Sequence, residues 1–485
     1  MRESKIAKNA ILNTVKTVLG IFFPLIIYPY VARILGVDNL GIYTFSFSFL
    51  SYFLLIAALG ISTYGIREGV QYREDREQMQ SFVSELFSIN MISTIIAYVL
   101  LFVFLYKIPF MSPYRKAVMI LSAEIFFTTL GVSWVCNVYE DFFAIAVRTI
   151  AFQIIALILI FVFVRDKTDL YQYMAILLIS NSGANVVNFF YIRKKYFRIH
   201  LTAKINWKMH LKPILIIFST TVAITVYVSS DTTMIGFMTN DFQVGLYGTA
   251  VKIYTIIKNI LAAILMVLIP RFTLLFLKGD QKQSNELFSR VFNILTVLML
   301  PMCAGLFSLS DDIICLVFGK NYLGAAEPLR LLSIAIAFSL YAYMYTQCVL
   351  IPSNKENIVF FATVISAIIN IGLNFILIPL WGINAAAITT IIAEFITFVI
   401  SIYSSRHTVR LIYVRKNLIT TIVGSVGIFL ICLLAKEIDL LWIRVGVSIV
   451  GSVAGYIIVL VTMRNTVLMK IKEMKPIVSE KTAVK

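Results

Sequence analysis

Apolar runs of about twenty residues recur along almost the whole chain, and no other feature limits its fold so strongly. Wound as a helix rising about 1.5 Å per residue, such a run matches the roughly 30 Å hydrocarbon core of a bilayer. An unsatisfied backbone amide or carbonyl in hydrocarbon costs several kcal/mol, so a crossing segment has to be a helix or part of a closed barrel. A barrel would show short alternating segments instead. The runs fall at residues 9–32, 40–63, 81–106, 116–135, 142–164, 171–192, 213–235, 243–270, 286–310, 326–351, 357–378, 383–404, 414–435 and 441–463. The expected fold is therefore an all-α membrane protein with about fourteen spans. Composition agrees: 60% of residues are apolar and 14% charged, with a mean hydropathy of +0.89, against roughly 45 to 50% and 25% in soluble domains.

The formal charge of +17 does not imply a nucleic-acid partner, because the basic residues sit in short loops and tails where they set topology. With both termini placed in the cytoplasm, about two-thirds of the 42 Lys and Arg residues fall on the cytoplasmic side. The strongest contributors are residues 193–212, carrying Arg193, Lys194, Lys195, Arg198, Lys204, Lys208 and Lys212, and the tail beyond Arg464. We read both as topology determinants rather than as an anionic-lipid site. The first apolar stretch is interrupted by Lys16, runs long and lacks a small-x-small cleavage site, so it is expected to remain as the first span.

Five scattered cysteines (Cys136, Cys303, Cys315, Cys348, Cys432) imply neither a disulfide nor a metal. The chain has no GxxxxGK[ST] phosphate loop, no HExxH and no GxSxG. Its longest loops are about twenty residues, too short for a catalytic domain of roughly 50 or more. No enzyme is expected.

Transporters often consist of two related bundles, and a repeat is visible here. Gly41-Ile42-Tyr43 opens the second span and Gly245-Leu246-Tyr247 the eighth, each after a short loop holding Asp38-Asn39 or Asn240-Asp241. Glu85-Leu86-Phe87-Ser88 begins the third span and Glu286-Leu287-Phe288-Ser289 the ninth. Six spans separate the copies, an even number, so both enter the membrane in the same orientation. The expected organisation is an N-lobe at residues 1–200, a C-lobe at 201–410, and the last two spans with a cytoplasmic tail at 411–485.

Ionisable groups at membrane depth cost at least about 2.5 kcal/mol on insertion scales, so they face a wet cavity or a partner. The first span places Asn9, Asn13, Lys16 and Gly20 on one helical face, with Pro24 and Pro29 following. The eighth does the same with Lys252, Thr255 and Asn259, while Lys258 lies about 120° round from Lys252. Arg148 is the fourth cation within a span, and the carboxylates at depth are Glu124, Asp231 and Glu394. Internal ion pairing is the plainer alternative to a cationic cavity. Further polar faces are Asn181, Asn185 and Asn188; Thr44, Ser48 and Ser51; and Ser366, Asn370 and Asn374. These suit sugar hydroxyls, or interhelical hydrogen bonds worth about 0.6 kcal/mol each. Tyr341, Tyr343 and Tyr345 read as packing or interfacial anchors.

The stretch Ala32-Arg33-Ile34-Leu35-Gly36 through Asn39-Leu40-Gly41-Ile42-Tyr43, and Phe318-Gly319-Lys320-Asn321-Tyr322 running into Leu329-Arg330-Leu331-Leu332-Ser333, give the chain a family resemblance over nearly its full length. It resembles the Wzx/RfbX-type flippases of O-antigen and capsule repeat units, a polysaccharide transport family of the MOP exporter superfamily. The resemblance implies two six-helix pseudo-symmetric lobes around a cavity that opens alternately to either side, with two C-terminal helices accommodating a lipid tail. It implies a bacterial cytoplasmic membrane and an undecaprenyl-diphosphate-linked oligosaccharide substrate, with membrane lipids and the polysaccharide polymerase machinery as partners and a monomer as a sufficient unit. Lys16, Lys252 and Lys258 are the expected diphosphate contacts, with Arg148 as a weaker one, and Asn13, Asn259, Asn181 and Asn185 are the expected headgroup contacts. Glu124, Asp231 and Glu394 are the available sites for H+ or Na+ coupling, and no other cofactor is expected. Related lipid-linked peptidoglycan precursor flippases carry several charges in their first two spans, where this chain has only Lys16 well inside. A cation-coupled multidrug or metabolite antiporter of the same superfamily is the alternative. A membrane glycosyltransferase or polymerase would need a sizeable external loop.

Overall fold

The protein is described by a computed structural model covering residues 2–473, with side chains for Gly20 and residues 23–469. In chain order its helices are α1 (Arg2–Ala58), α2 (Ile61–Gly69), α3 (Arg76–Lys107), α4 (Arg115–Leu130), α5 (Trp134–Val138) and α6 (Phe142–Phe163). Then come α7 (Leu170–Lys195), α8 (Trp207–Met238), α9 (Asp241–Met266), α10 (Ile269–Leu277), α11 (Gln281–Phe318) and α12 (Ala326–Tyr345). The last are α13 (Glu356–Trp381), α14 (Ile383–Ser405), α15 (Arg415–Ala435), α16 (Leu441–Thr462) and α17 (Thr466–Glu473). Among the described residues there is no strand.

Among the described residues, thirteen stretches are long and apolar enough to cross a membrane. The first, Phe23–Tyr72, is 50 residues long, about 75 Å if straight and far more than one bilayer core. It is broken at Gly36, whose φ of 79° lies in the left-handed region that only glycine enters without a steric penalty. Because α1 runs from Arg2 to Ala58, it has about twenty residues or more on each side of Gly36, enough for two crossings, which brings the spans to the fourteen expected. Asn39 steadies the break: its amide donates to the Leu35 carbonyl at 3.0 Å, across the break, and to the Lys167 carbonyl at 2.8 Å.

Two compact units divide the chain. One comprises Met1–Gly248 with Asn374–Gly382, the other Thr249–Leu373 with Ile383–Lys485. In the first unit Tyr64, Phe82, Trp134 and Val135 form a core with Ile214 where α2, α3, α5 and α8 converge. The second unit packs α12 on α14 and α11 on α15 and α16. There the Arg444 guanidinium binds Asp312 at 2.9 Å and the Tyr456 hydroxyl donates to the Val297 carbonyl at 2.7 Å, so α16, the last span, is fastened to α11. Exposed apolar side chains such as Ile92, Ile95 and Val99 on α3, Ile154 and Ile158 on α6, and Val450 and Val453 on α16 give each unit a surface suited to hydrocarbon.

The repeated motifs have repeated jobs. Ser88 Oγ accepts from the Thr202 amide at 2.9 Å in the first unit, and Ser289 Oγ accepts from the Ile412 amide at 2.8 Å in the second. Each copy of the Glu-Leu-Phe-Ser motif thus clasps the connector that leads to the next long helix, α8 or α15. The two glycine motifs meet each other within the first unit. A Cβ on Gly41 would lie 1.8 Å from the Asp241 carbonyl oxygen, and one on Gly245 would lie 2.1 Å from the Val37 carbonyl oxygen. Since 37 and 241 are themselves equivalent in the repeat, the contact is reciprocal, like the isologous contact of a two-fold dimer. Thr44 packs on its own counterpart, Gly248. Tyr114 adds a hydrogen bond to Asp241 at 2.6 Å.

A second clasp closes the α5 to α7 corner. Asp141 accepts from Tyr191 at 2.6 Å, Lys195 at 2.7 Å and Tyr196 at 3.0 Å. Burial alone would raise the Asp141 pKa, but these three donors outweigh it and hold the carboxyl below the usual range. A carboxyl whose pKa is lowered by folding stabilises the folded state above its unfolded pKa, and that stability disappears as pH falls through the lowered value. Asp141→Asn is therefore expected to lower stability at neutral pH by about 1 to 2 kcal/mol. The gap from the parent protein should close in acid, which thermal melts at neutral pH and near pH 3 would show.

Candidate functional site

Polar chemistry at membrane depth is gathered at separate centres, each within one compact unit. In the second unit, α9 carries Tyr254 and Lys258 one turn apart, and α14 carries Glu394 eleven residues into a 23-residue helix. The spacing on α9 turns both side chains toward α14. Lys258 Nζ lies 3.1 Å from Glu394 Oε1, the Tyr254 hydroxyl donates to the same oxygen at 3.2 Å, and Lys258 donates to the Tyr254 hydroxyl at 3.4 Å. One oxygen is thus cradled by an ammonium and a hydroxyl in a nearly equilateral triangle. The side chains differ in access: 28% of Lys258 is exposed against 8% of Glu394. A buried ion pair often contributes no more stability than apolar residues of the same volume, so its presence at mid-helix depth points to use.

Lys252 is half-buried on α9, a turn and two-thirds before Lys258, and Asn259 is exposed beside Lys258. Neither joins the triangle. The polar face predicted on α13 is taken up by helix contacts in this unit, Ser366 with Thr397 at 2.8 Å and Asn370 donating to Thr389 at 3.3 Å. Tyr341 is hydrogen-bonded to Thr296 at 2.8 Å and stacked on Phe292, and Tyr345 packs edge-on to Phe288, as expected of packing residues.

The first unit holds three separate polar centres. Asn181 on α7 donates to Glu124 on α4 at 3.3 Å. Arg148 on α6 donates from Nε to the Ala144 carbonyl at 2.6 Å and lies over the Tyr191 ring at 4.1 Å. Its two terminal nitrogens are buried without a hydrogen-bond partner among the described residues. Asp231 on α8 accepts from Tyr247 at 2.9 Å and from Asn374 at 2.6 Å. Asn185 packs on Gly131, and Asn188 is buried. On α1, Ser48 is hydrogen-bonded to Thr233 at 2.8 Å and Ser51 to Ser229 at 3.0 Å, so this polar face forms the seam with α8.

Of the sequence-predicted residues, Lys258 with Glu394 and Asn181 with Glu124 are brought together. Arg148, Asn185, Asp231, Lys252 and Asn259 stand apart from these pairs. Asn9, Asn13 and Lys16 lie outside the residues whose side chains are described. Sequence reasoning missed Tyr254 and Tyr247; a tyrosine four residues before a lysine at membrane depth was the available signal for the first. No group of three or more His, Cys, Asp or Glu side chains suited to a metal occurs among the described residues.

Comparison with known proteins places this architecture. Over 395 residues the chain is 22% identical to a Shigella dysenteriae protein named as an O-antigen transporter, covering 80% of this chain and 96% of that one. Over 169 residues it is 28% identical to a Haloferax volcanii protein named as a low-salt glycan biosynthesis flippase, Agl15, and spans only about a third (34%) of that relative's length. Its fold matches that of the lipid II flippase MurJ in an inward closed conformation, with a TM-score of 0.75 at 18% identity, covering 95% of this chain and all of the other. The family model described as polysaccharide biosynthesis protein matches residues 6–276, more than half of the sequence. This multi-pass, all-helical membrane chain belongs to the polysaccharide biosynthesis protein family.

Proposed function

We propose that this protein is a flippase, a transporter rather than an enzyme, that carries a lipid-linked oligosaccharide repeat unit for polysaccharide assembly from one leaflet of the cytoplasmic membrane to the other. A polyprenyl diphosphate sugar has an apolar tail that stays in the bilayer and a hydrophilic head whose unaided crossing is prohibitive, so a carrier must offer the head a cationic, polar path. The observation that carries the reading is the Lys258–Glu394–Tyr254 triangle at membrane depth, with Lys252 half-buried on the same helix. A lysine ammonium is a compact cation suited to phosphate oxygens, and its attraction for them grows in a low-dielectric surrounding. Undecaprenyl diphosphate is the lipid we assign, alternating access the mechanism, and both termini are assigned to the cytoplasm.

Glu124, Asp231 and Glu394 are the carboxylates available for proton or sodium coupling, since an ion bound better in one facing state biases the protein toward it. The reading is tested in the host by removing the chain. Surface polysaccharide should disappear and lipid-linked oligosaccharide accumulate on the side of synthesis, with drug susceptibility unchanged. Undiminished surface polysaccharide would refute it, and a drug-sensitive phenotype instead would favour the antiporter.

A further inference from the structure

We propose that Glu394 is a placeholder for a phosphate oxygen of the substrate, so that headgroup binding at Lys258 is an exchange of one anion for another. The inference rests on the flippase reading and adds to it the identity of the group the substrate must displace. Its basis is the geometry of the triangle. Lys258 and Tyr254 both converge on a single carboxylate oxygen, Oε1, rather than on the carboxylate as a bidentate unit. Two donors aimed at one anionic oxygen are as well suited to a phosphate oxygen as to a carboxylate oxygen. The hydroxyl of Tyr254 donates to that oxygen and accepts from Lys258, so it can keep its role whichever anion is present.

Access is the second argument. The cation is the open member of the pair and the carboxylate the buried one, so an arriving anion meets the ammonium without first moving Glu394 out of its packing. Removing a lysine from all anions at this depth is costly, and an internal counter-ion lets the substrate-free protein hold the charge in place. When a diphosphate takes Lys258, Glu394 gives up its cation and keeps the Tyr254 hydroxyl or loses it to the phosphate. That loss opposes binding and keeps it reversible, which a carrier that must release its cargo on the far side requires. On α13, Ser366 and Asn370 are uncharged groups that meet α14, at Thr397 and Thr389.

The test uses the full chain in detergent with geranyl diphosphate as a short, soluble probe and geraniol as the uncharged control. Glu394→Gln keeps the shape and an oxygen for Tyr254 but removes the competing charge. It should bind geranyl diphosphate at least about tenfold more tightly than the parent protein, with geraniol binding unchanged. The variant should also melt at a lower temperature without probe and recover more of that loss than the parent gains when the diphosphate is added. Adding Lys258→Met to Glu394→Gln should abolish the gain. If the parent binds the diphosphate and Glu394→Gln binds it no better, or if the gain survives Lys258→Met, the placeholder role is wrong while the flippase reading stands. If the folded parent protein binds no diphosphate at all, both fail together.

Discussion

Alanine at Gly41 or Gly245 is expected to remove most of the folded protein from a membrane preparation, although each change adds one methyl group. Helix-interior Gly→Ala substitutions ordinarily gain up to about 1 kcal/mol, because alanine has the better helix propensity. Here the new Cβ would lie 1.8 Å from the Asp241 carbonyl oxygen or 2.1 Å from that of Val37. Both obstacles are backbone atoms, which cannot rotate away as a side-chain tip does, so the helix starts at Val37 and Asp241 have to separate. Overpacking a tight interior costs typically about 1 to 3 kcal/mol, and contacts of this length against backbone belong at or beyond the upper end. Gly305→Ala in α11 and Gly446→Ala in α16 serve as controls, since a Cβ at either position meets nothing within 4 Å. Size-exclusion profiles and thermal melts should separate the two pairs. Wild-type behaviour of Gly41→Ala and Gly245→Ala would mean that the reciprocal crossing does not exist.

The second large effect concerns transport. Lys252→Met keeps most of the apolar stem and removes the charge, and it is expected to slow headgroup translocation by about ten- to a hundredfold, the loss of one charge-assisted contact of about 1.5 to 3 kcal/mol. The comparison is made per folded molecule, in liposomes loaded with a lipid-linked oligosaccharide. Lys252→Arg should retain part of the activity, because it retains the charge. A Lys252→Met rate equal to that of the parent would remove this residue from the substrate path and leave Lys258 as the cation of α9 on which the mechanism depends.

Much of the architecture was legible in the sequence because hydrocarbon leaves few choices. Runs of about twenty apolar residues had to be helices, and the spans from α12 to α16 begin and end within a few residues of where hydropathy alone set them. Two boundaries were misjudged for different local reasons. The ninth span was read as residues 286–310, but α11 is 38 residues long; Asp311 and Asp312 end the apolar run without ending the helix, since Asp312 is held by Arg444 from another helix. The segment from 33 to 39 was read as a loop, whereas one glycine, Gly36, is sufficient to break α1.

The repeat was visible as two short motifs, but spacing could not disclose their purpose. That Gly41 and Gly245 touch each other's helices, and that Ser88 and Ser289 hold equivalent connectors, depends on contacts between residues more than a hundred positions apart. The candidate site shows the same limit. Helical periodicity put Lys258 on a face of α9, yet it could not say that Glu394, 136 residues later, would be opposite. Lysine and carboxylate were therefore given separate tasks, with internal ion pairing as the plainer alternative, and the structure pairs these two. The α13 face of Ser366 and Asn370 was equally ambiguous, and its hydrogen bonds to α14 assign it to packing.

The most direct test is a translocation assay with the purified protein in liposomes that carry a lipid-linked oligosaccharide in both leaflets, following how much becomes accessible to an external sugar-modifying enzyme. Empty liposomes set the baseline for leakage. The expected result is that liposomes with the protein expose the inner-leaflet pool while empty ones keep it protected. An inner pool that stays protected, both without a gradient and under imposed proton or sodium gradients, would contradict the flippase reading.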